Sequence, residues 1–271
     1  MRRACFILAM AWSSCVGLAH AQTLNVFAAA SLKETATQIA KEFEKRHPQV
    51  HVALNIAGSQ QLVAQIKQGA PVDVLLSAGM DALKGLDYDK ASLRIFATNR
   101  LALITPLRLT QIKSLPDLTR SSRLVIADGR VPVGDYTLKM LEKAEAKLGR
   151  AWKDKVLSNV VSKEQDVRAV LTKVELGEAD AGVVYASDVK AANGKVRAVP
   201  IAEQFNVEAR YPAVRFARSA SLELAKDFMK FLFEADAQRV LSEHGFGHLP
   251  VHAMRIPRHS TVVMVQPVRG I

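Results

Sequence analysis

Cysteine is scarce in this sequence, and its position is informative. The two cysteines, Cys5 and Cys15, both lie in the first segment of a 271-residue chain. If that segment is removed on export, the remaining chain can form neither a disulfide nor a thiolate site. About 250 residues would remain, which is enough for two α/β units with hydrophobic cores of their own.

Sequence motifs of the common catalytic sites are also missing. The chain has no nucleophile elbow, no phosphate-binding loop and no zinc-protease motif. His244, His248 and His252 are spaced by four residues, but two glycines and a proline between them argue against a continuous helix that could present a metal-binding face. We therefore expect no cation site, no cofactor and no enzymatic activity.

The first 21 residues have the pattern of a secretory signal peptide. Two arginines precede an apolar run, and Ala19-His20-Ala21 supplies the small residues of a cleavage site. The apolar run is short for a membrane span. We expect cleavage after Ala21 and a periplasmic location. A lipoprotein signal around Cys15 is the alternative, although the residues "AWSS" before it match that pattern poorly.

Positive charge is in excess over the whole chain. The formal net charge is +11, and about +9 remains once the two signal-peptide arginines are removed. The basic residues are scattered and are not interleaved with aromatic residues, so the pattern indicates a solvated basic surface rather than a nucleic-acid site.

Apolar runs of strand length alternate with helical patterns, which is typical of α/β folds with parallel strands. The predicted strands are "LNVFAA", "VHVALNI", "VDVLLSA", "RLALITP", "RLVIAD", "AGVVYA", "VRAVPI" and "RYPAVRFA". The predicted helices cover residues 33–46, "QQLVAQIKQG", 136–148, "EQDVRAVLTKVELG", 222–233 and 235–244. Between these elements the chain has no repeat and no low-complexity linker.

The missing linker predicts two lobes that are joined by more than one chain crossing. We expect crossings near residues 99–101 and 210–212. The predicted division is a signal peptide (1–21), lobe I (22–99 and 212–249), lobe II (100–211) and a C-terminal tail of unassigned role (250–271). Ligands of open α/β sheets bind at the carboxyl ends of strands, so facing lobes would form a ligand cleft that hinge motion can close.

Four loops of one kind follow strands and precede helices. They contain Ser31, Ser59, the pair Val133–Gly134 and the pair Asp166–Val167. A helix N-terminus offers unpaired N–H groups and the positive end of its dipole, so it can bind an anion without a charged side chain. Each serine would add a hydroxyl donor. The alternative is that each serine simply caps its helix.

Several segments, in this order, resemble the periplasmic molybdate-binding proteins of ABC importers, and the similarity extends over roughly residues 24–247. The segments are "VFAAASL", "AGSQQLVAQI", "GAPVDVLLSA", "NRLALITP", "DVRAVLTKVELGEADAGVVYASD" and "YPAV". The resemblance implies a two-lobed periplasmic binding protein. Each lobe would be a mostly parallel sheet flanked by helices, and a monomer would deliver molybdate, or tungstate, to an inner-membrane permease.

The resemblance also implies a set of ligand contacts. The hydroxyl and N–H groups of Ser31 and Ser59, the backbone N–H groups of Val133 and Val167, and the hydroxyl of Tyr185 would bind the oxyanion. Arg168 would be salt-bridged behind the site, Asp166 would cap its helix, and Asp135 would point away. A receptor for sulfate, phosphate or an organic anion, and an exported enzyme that uses the same cleft, stay open as alternatives.

Overall fold

The computed structural model describes residues 22–247, and this range contains nine strands and eight α-helices. In chain order they are β1 (Gln22–Ala29), α1 (Lys33–Arg46), β2 (Val50–Ala57), α2 (Ser59–Lys67), β3 (Val74–Leu76), β4 (Arg94–Pro106), β5 (Leu124–Ala127), α3 (Pro132–Leu148), α4 (Arg150–Ser158), β6 (Val160–Glu164), α5 (Val167–Glu175), β7 (Ala181–Tyr185), α6 (Ala186–Ala191), β8 (Val196–Val199), β9 (Glu208–Arg215), α7 (Leu222–Phe231) and α8 (Ala235–Glu243). The expected signal peptide and C-terminal tail lie outside the described residues.

The first half of the molecule is a sheet in the order β2-β1-β3-β9. β1 pairs in parallel with both β2 and β3, as helical crossovers require, whereas β9 runs antiparallel to β3. The carboxyl ends of the three parallel strands therefore lie at one edge of the sheet. The 3-10 turn Ala30–Leu32, which leads into α1, and the start of α2 lie directly beyond that edge.

The second half continues the same sheet through β4-β7-β5-β6, and β8 pairs with β4 outside that path. β5 is parallel to β6 and to β7, while β4 is antiparallel to β7 and β8. β4 and β9 pair antiparallel with each other, and this ribbon connects the halves. The crossings expected near residues 99–101 and 210–212 thus lie inside two long strands, not in loops.

Alternation along the strands of the first half produces a core on each face of the sheet. Leu24, Val26 and Ala28 pack into the large cluster with α1, whereas Phe27 and Leu75 pack into a second cluster with α2. The period of two in β1 accounts for this division, because successive side chains point to opposite faces.

All the elements predicted from the sequence are present, and the α/β class is confirmed. The largest differences are in two starting points: α3 begins at Pro132 rather than Tyr136, because proline is favourable at the first helical position, and β4 begins at Arg94 rather than Arg100. Three elements were missed, namely α4, β6 and α6. Among residues 22–247, no helix is long and apolar enough to span a membrane.

Candidate functional site

A cavity of about 20 Å³ lies where the starts of several helices converge between the two halves. The residues that line it are Ala29, Ala30, Ser31, Gly58, Ser59, Ala78, Val131, Pro132, Val133, Asp166, Val167 and Tyr185. All five residues that the sequence singled out as ligand contacts are therefore brought together. Organic ligands occupy pockets of several hundred Å³, so a space of this size is suited to a much smaller guest.

The hydroxyl of Ser31 points away from its own helix. Ser31 lies inside the 3-10 turn and is buried, and its Oγ is 3.0 Å from the phenol oxygen of Tyr211 on β9. It makes no capping hydrogen bond to α1. The alternative that Ser31 is a helix cap is therefore wrong.

Ser59 is the first residue of α2, and its Oγ accepts a hydrogen bond of 3.2 Å from the backbone N–H of Ala78. Gly58 is the capping residue, and its N–H donates to Oε1 of Gln61 over 3.0 Å. The capping alternative is wrong for Ser59 as well. Because a backbone N–H can only donate, the Ser59 proton remains available for another acceptor.

The start of α3 leaves backbone donors free, and Val133 lines the cavity. Pro132 is its first residue and has no N–H, so the N–H groups of Val133 and Gly134 come next, and both lack an acceptor within the helix. Gly134 is required here, because a Cβ at this position would lie 2.0 Å from the carbonyl oxygen of Asp128. The backbone can therefore turn tightly at this helix start.

The start of α5 leaves one backbone donor free. Asp166 caps the helix, as expected, and its Oδ1 accepts from the N–H groups of Arg168 (2.8 Å) and Ala169 (3.0 Å). Its carboxylate is thereby turned toward its own helix, although Asp166 lines the cavity. The N–H of Val167 is not used by this cap and remains for a guest.

Tyr185 supplies the most direct sign that a guest belongs in the cavity. The residue is only 1% exposed, and its hydroxyl has no hydrogen-bond partner among the described residues. A buried polar group without a partner is costly, so native structures normally provide one. Burial raises the pKa of Tyr185 well above its usual value, and the nearby Tyr211 adds to the effect.

The cavity has no cationic lining. Lysine, arginine and histidine are absent from the residues that surround it, and the cation nearest to it in sequence, Arg168, is engaged elsewhere. Its guanidinium binds both carboxylate oxygens of Glu34, at 2.5 Å and 3.3 Å, and its Nε lies 3.0 Å from Oδ1 of Asp188. Arg168 is thus salt-bridged, as the sequence predicted.

Glu34, Arg168 and Asp188 form an ion-pair network, and Asp188 is its member in the second half, on α6. It is fully buried, and its Oδ2 accepts a 3.0 Å hydrogen bond from the backbone N–H of Tyr185. Burial raises the pKa of Asp188 to about 7, although Arg168 acts in the opposite direction. The network therefore links the backbone of Tyr185 to Glu34 in the first half.

The two halves approach each other closely around the cavity. Nε2 of Gln61 donates to Oε1 of Gln165 over 2.9 Å. A Cβ on Gly58 would lie 2.8 Å from the carbonyl oxygen of Gln165, and one on Gly79 would lie 3.0 Å from Cβ of Pro132. These contacts describe a closed arrangement in which neither glycine has room for a side chain.

Two further predictions concern residues outside the cavity. Asp135 does point away from it and pairs with Lys139 over 2.7 Å. His244 follows the last residue of α8 and its Nε2 lies 2.9 Å from Oε1 of Gln38, whereas His248 and His252 lie outside the described residues. Within residues 22–247, no group of three His, Cys, Asp or Glu side chains could hold a metal ion.

The sequence did not identify Tyr211 as part of the site. It lies within the segment "YPAV", which carried part of the resemblance, but nothing local indicates that its hydroxyl reaches Ser31. One observation could have identified it: Tyr211 lies on the strand "RYPAVRFA", at the point where the chain is predicted to cross back into the first lobe, and therefore near the cleft.

Comparisons with known proteins agree on one kind of protein. The family described as bacterial extracellular solute-binding protein matches residues 24–247. The molybdate-binding protein ModA of Mycobacterium tuberculosis strain H37Rv is 34% identical over 231 residues, which cover 83% of this chain and 85% of that protein. ModA of Escherichia coli K12 is 32% identical over 244 residues, which cover 84% and 90%.

Solved structures show the same architecture. A substrate-binding domain of an ABC transporter assigned to molybdenum, from Clostridium difficile, matches with a TM-score of 0.64 and 30% identity, covering 84% of this chain and 99% of that one. The periplasmic molybdate-binding protein of Azotobacter vinelandii matches with a TM-score of 0.72 and 22% identity, covering 84% and 99%. The expected two-lobed fold is confirmed.

Proposed function

Because the chain belongs to the bacterial extracellular solute-binding proteins, whose family match extends over residues 24–247, we propose that it binds molybdate in the periplasm and delivers it to an ABC permease. The chain carries out no chemical conversion in this role. It acts as a monomer, and tungstate is the second substrate.

The observation that carries the proposal is the unpartnered, buried hydroxyl of Tyr185 in a small cavity without cationic side chains. A tetrahedral oxyanion would supply the missing acceptor. It would also accept from the hydroxyls of Ser31 and Ser59 and from the N–H groups of Val133 and Val167. A hydrogen bond to a charged group contributes roughly 1.5–3 kcal/mol, so a few fixed neutral donors can hold a dianion.

Helix dipoles strengthen the attraction. α2, α3 and α5 begin at the cavity and α1 follows the turn that contains Ser31, so their positive ends meet at one point. A neutral site of this kind distinguishes anions by shape and size, because every donor has a fixed position. Molybdate and tungstate are nearly equal in size and larger than sulfate.

The lobes are proposed to be residues 22–99 with 212–249 and residues 100–211, with the β4–β9 ribbon as the hinge. Each lobe contributes donors from its own helix starts, Ser31 and Ser59 from the first and Val133, Val167 and Tyr185 from the second. Binding would therefore require both lobes at once, and closure would exclude water from the ion.

A thermal-shift panel tests this function. Molybdate and tungstate should raise the melting temperature strongly, because a ligand present at about 100 times its dissociation constant stabilises by about 2.7 kcal/mol. Sulfate, phosphate and chromate at equal concentration should raise it much less. If sulfate or phosphate stabilises the protein as strongly as molybdate, the assignment of molybdate as the ligand is wrong. If the protein converts a bound compound, it is an enzyme.

A further inference from the structure

Tyr211 occupies a position directly behind one of the proposed ligand hydroxyls. It is fully buried on β9, within the ribbon that joins the halves, and its phenol oxygen is 3.0 Å from Oγ of Ser31. Its ring packs edge-on against Phe246, with the centroids 5.2 Å apart, and against Tyr185 at 5.7 Å. The direction of its hydroxyl is therefore set by the packing of the ring.

We propose that Tyr211 is a positioning residue that donates its proton to Ser31 and so turns the Ser31 hydroxyl toward the bound oxyanion. This inference rests on the proposed function. A serine hydroxyl has one proton and two acceptor lone pairs. If Tyr211 donates to Ser31, the serine proton is free for the anion. In the reverse orientation, Ser31 would present a lone pair to a negative charge.

The surroundings of Tyr211 favour the donating orientation. The Asn99 amide is fixed, because its Oδ1 accepts from the backbone N–H of Arg100 (2.9 Å) and its Nδ2 donates to Oγ of Ser187 (2.8 Å). The Asn99 oxygen is thus already used as an acceptor. Burial raises the pKa of Tyr211 well above its usual value, so the phenol keeps its proton, and Oγ of Ser31, 3.0 Å away, is an acceptor to which it can be donated.

Ser59 offers an independent parallel within the same cavity. Its Oγ accepts from the N–H of Ala78, a group that cannot reverse its role. The Ser59 proton is thereby directed elsewhere by a donor behind it. Tyr211 would perform for Ser31 the task that the Ala78 amide performs for Ser59, so both hydroxyls would reach the anion as donors.

A double-mutant cycle on the full chain tests the assignment. Molybdate affinity is measured by isothermal titration for wild type, Tyr211→Phe, Ser31→Ala and the double variant. Tyr211→Phe alone should weaken binding about tenfold, close to the loss of one hydrogen bond to a charged group. In the Ser31→Ala background the same change should alter affinity by no more than about twofold, because the pair acts as one unit.

The matched control is Tyr136→Phe, since this half-buried tyrosine packs against Tyr185 but its phenol oxygen accepts from the N–H of Arg210 rather than facing Ser31. It should leave affinity within about twofold of wild type. Equal losses from Tyr211→Phe in both backgrounds, or no loss in wild type, would overturn the inference.

Failure of the proposed function has a different signature, because wild type itself would then show no heat with molybdate. If Tyr211→Phe does not fold, 3-fluorotyrosine at position 211 replaces it, since this residue keeps the shape and donates more strongly. Molybdate affinity should then rise in the wild-type background and stay constant in Ser31→Ala. A constant affinity in both backgrounds would contradict the inference.

Discussion

Glu34 and Arg168 form a two-bond ion pair from opposite sides of the cavity, one at the start of α1 and the other at the start of α5. The pair exists only when the two halves are close. Because Arg168 is also held by the buried Asp188, Glu34 is the member that opening of the lobes would release.

Glu34→Gln should therefore weaken molybdate binding by destabilising the closed arrangement. The Glu34 side chain is 41% exposed, so the pair contributes only a fraction of a kcal/mol to about 1 kcal/mol, or about twofold to fivefold in affinity. Isothermal titration measures the affinity, and small-angle scattering at saturating molybdate measures closure. Glu42→Gln, which breaks the surface pair with Lys45 on the same helix, is the control. If Glu34→Gln and Glu42→Gln have the same affinity and the same degree of closure, the Glu34–Arg168 pair does not stabilise the closed arrangement.

Removal of the Ser59 hydroxyl should weaken binding without unfolding the chain. Ser59→Ala deletes one donor to a charged ligand, which costs roughly 1.5–3 kcal/mol, or about ten- to a hundredfold in affinity. Ser158→Ala is the control, since that hydroxyl only donates to the carbonyl of Lys155 at the end of α4. Unchanged affinity in Ser59→Ala would remove this residue from the site.

Tyr185→Phe should separate stability from binding. The hydroxyl is buried without a partner, so its deletion relieves an unsatisfied polar group worth about 1–3 kcal/mol. The ligand-free variant should melt at the same temperature as wild type or higher, while the shift caused by molybdate becomes smaller. Melting curves with and without molybdate provide both values. A less stable ligand-free variant with an intact molybdate shift would contradict the assignment.

The affinity for molybdate should change little between about pH 7 and pH 9. Burial raises the pKa of both Tyr185 and Tyr211 well above the usual value near 10, and serine and amide donors do not titrate in this range. A histidine-based site would lose its positive charge above about pH 6.5. Titrations across this pH range measure the dependence. A steep loss of affinity between about pH 6 and pH 8 that persists in Asp188→Asn would mean that a titrating cation contacts the ion, because Asp188 is the buried group beside the site whose pKa, about 7, falls in this range.

The stability of the protein should fall through the pH range in which Asp188 is protonated only in the folded state. Burial raises the pKa of Asp188 to about 7, and the negative charges of Glu34 and Asp166 also raise it, whereas Arg168 and the backbone N–H of Tyr185 lower it. An unfolded aspartate ionises near pH 4. Between these values the folded state binds the extra proton. The free energy of unfolding therefore decreases as pH rises, by up to about 1.4 kcal/mol per pH unit from this group.

Urea titrations of wild type and Asp188→Asn across that range isolate the effect of Asp188, because all other groups titrate in both proteins. Asparagine retains an acceptor for the N–H of Tyr185. The wild-type curve should fall more steeply with pH than the variant curve. Parallel curves would show that Asp188 ionises at the same pH in the folded and unfolded states.

Local patterns were sufficient to predict most of the fold. The strand and helix periods of β1, α1, β2 and α2 are strong, and the helix starts near Ser31 and Ser59 follow directly from strands that end there. β6 was missed because "VVSKE" alternates between half-buried and exposed residues with little apolar content. α4 was missed because Val156 is its only buried residue.

The contacts behind the site could not be predicted in the same way. Ser31 and Tyr211 are 180 residues apart in the chain, and Glu34 and Arg168 are 134 apart. Each contact depends on how the two halves meet, which no local period encodes. The helix starts carry the anion chemistry, whereas the three-dimensional closure decides which side chains support them.

The β4–β9 ribbon also shows where a large internal segment could be removed from the chain. Asn99 pairs with Ala209 and Arg100 pairs with Glu208, so the segment between them leaves and re-enters the first half at adjacent points of an antiparallel pair. Antiparallel strands can be closed by a two-residue turn. A gene in which residues 100–208 are replaced by Asn-Gly should therefore encode a hairpin that completes the sheet β2-β1-β3-β9, and the segment removed has the form of a domain inserted into that hairpin.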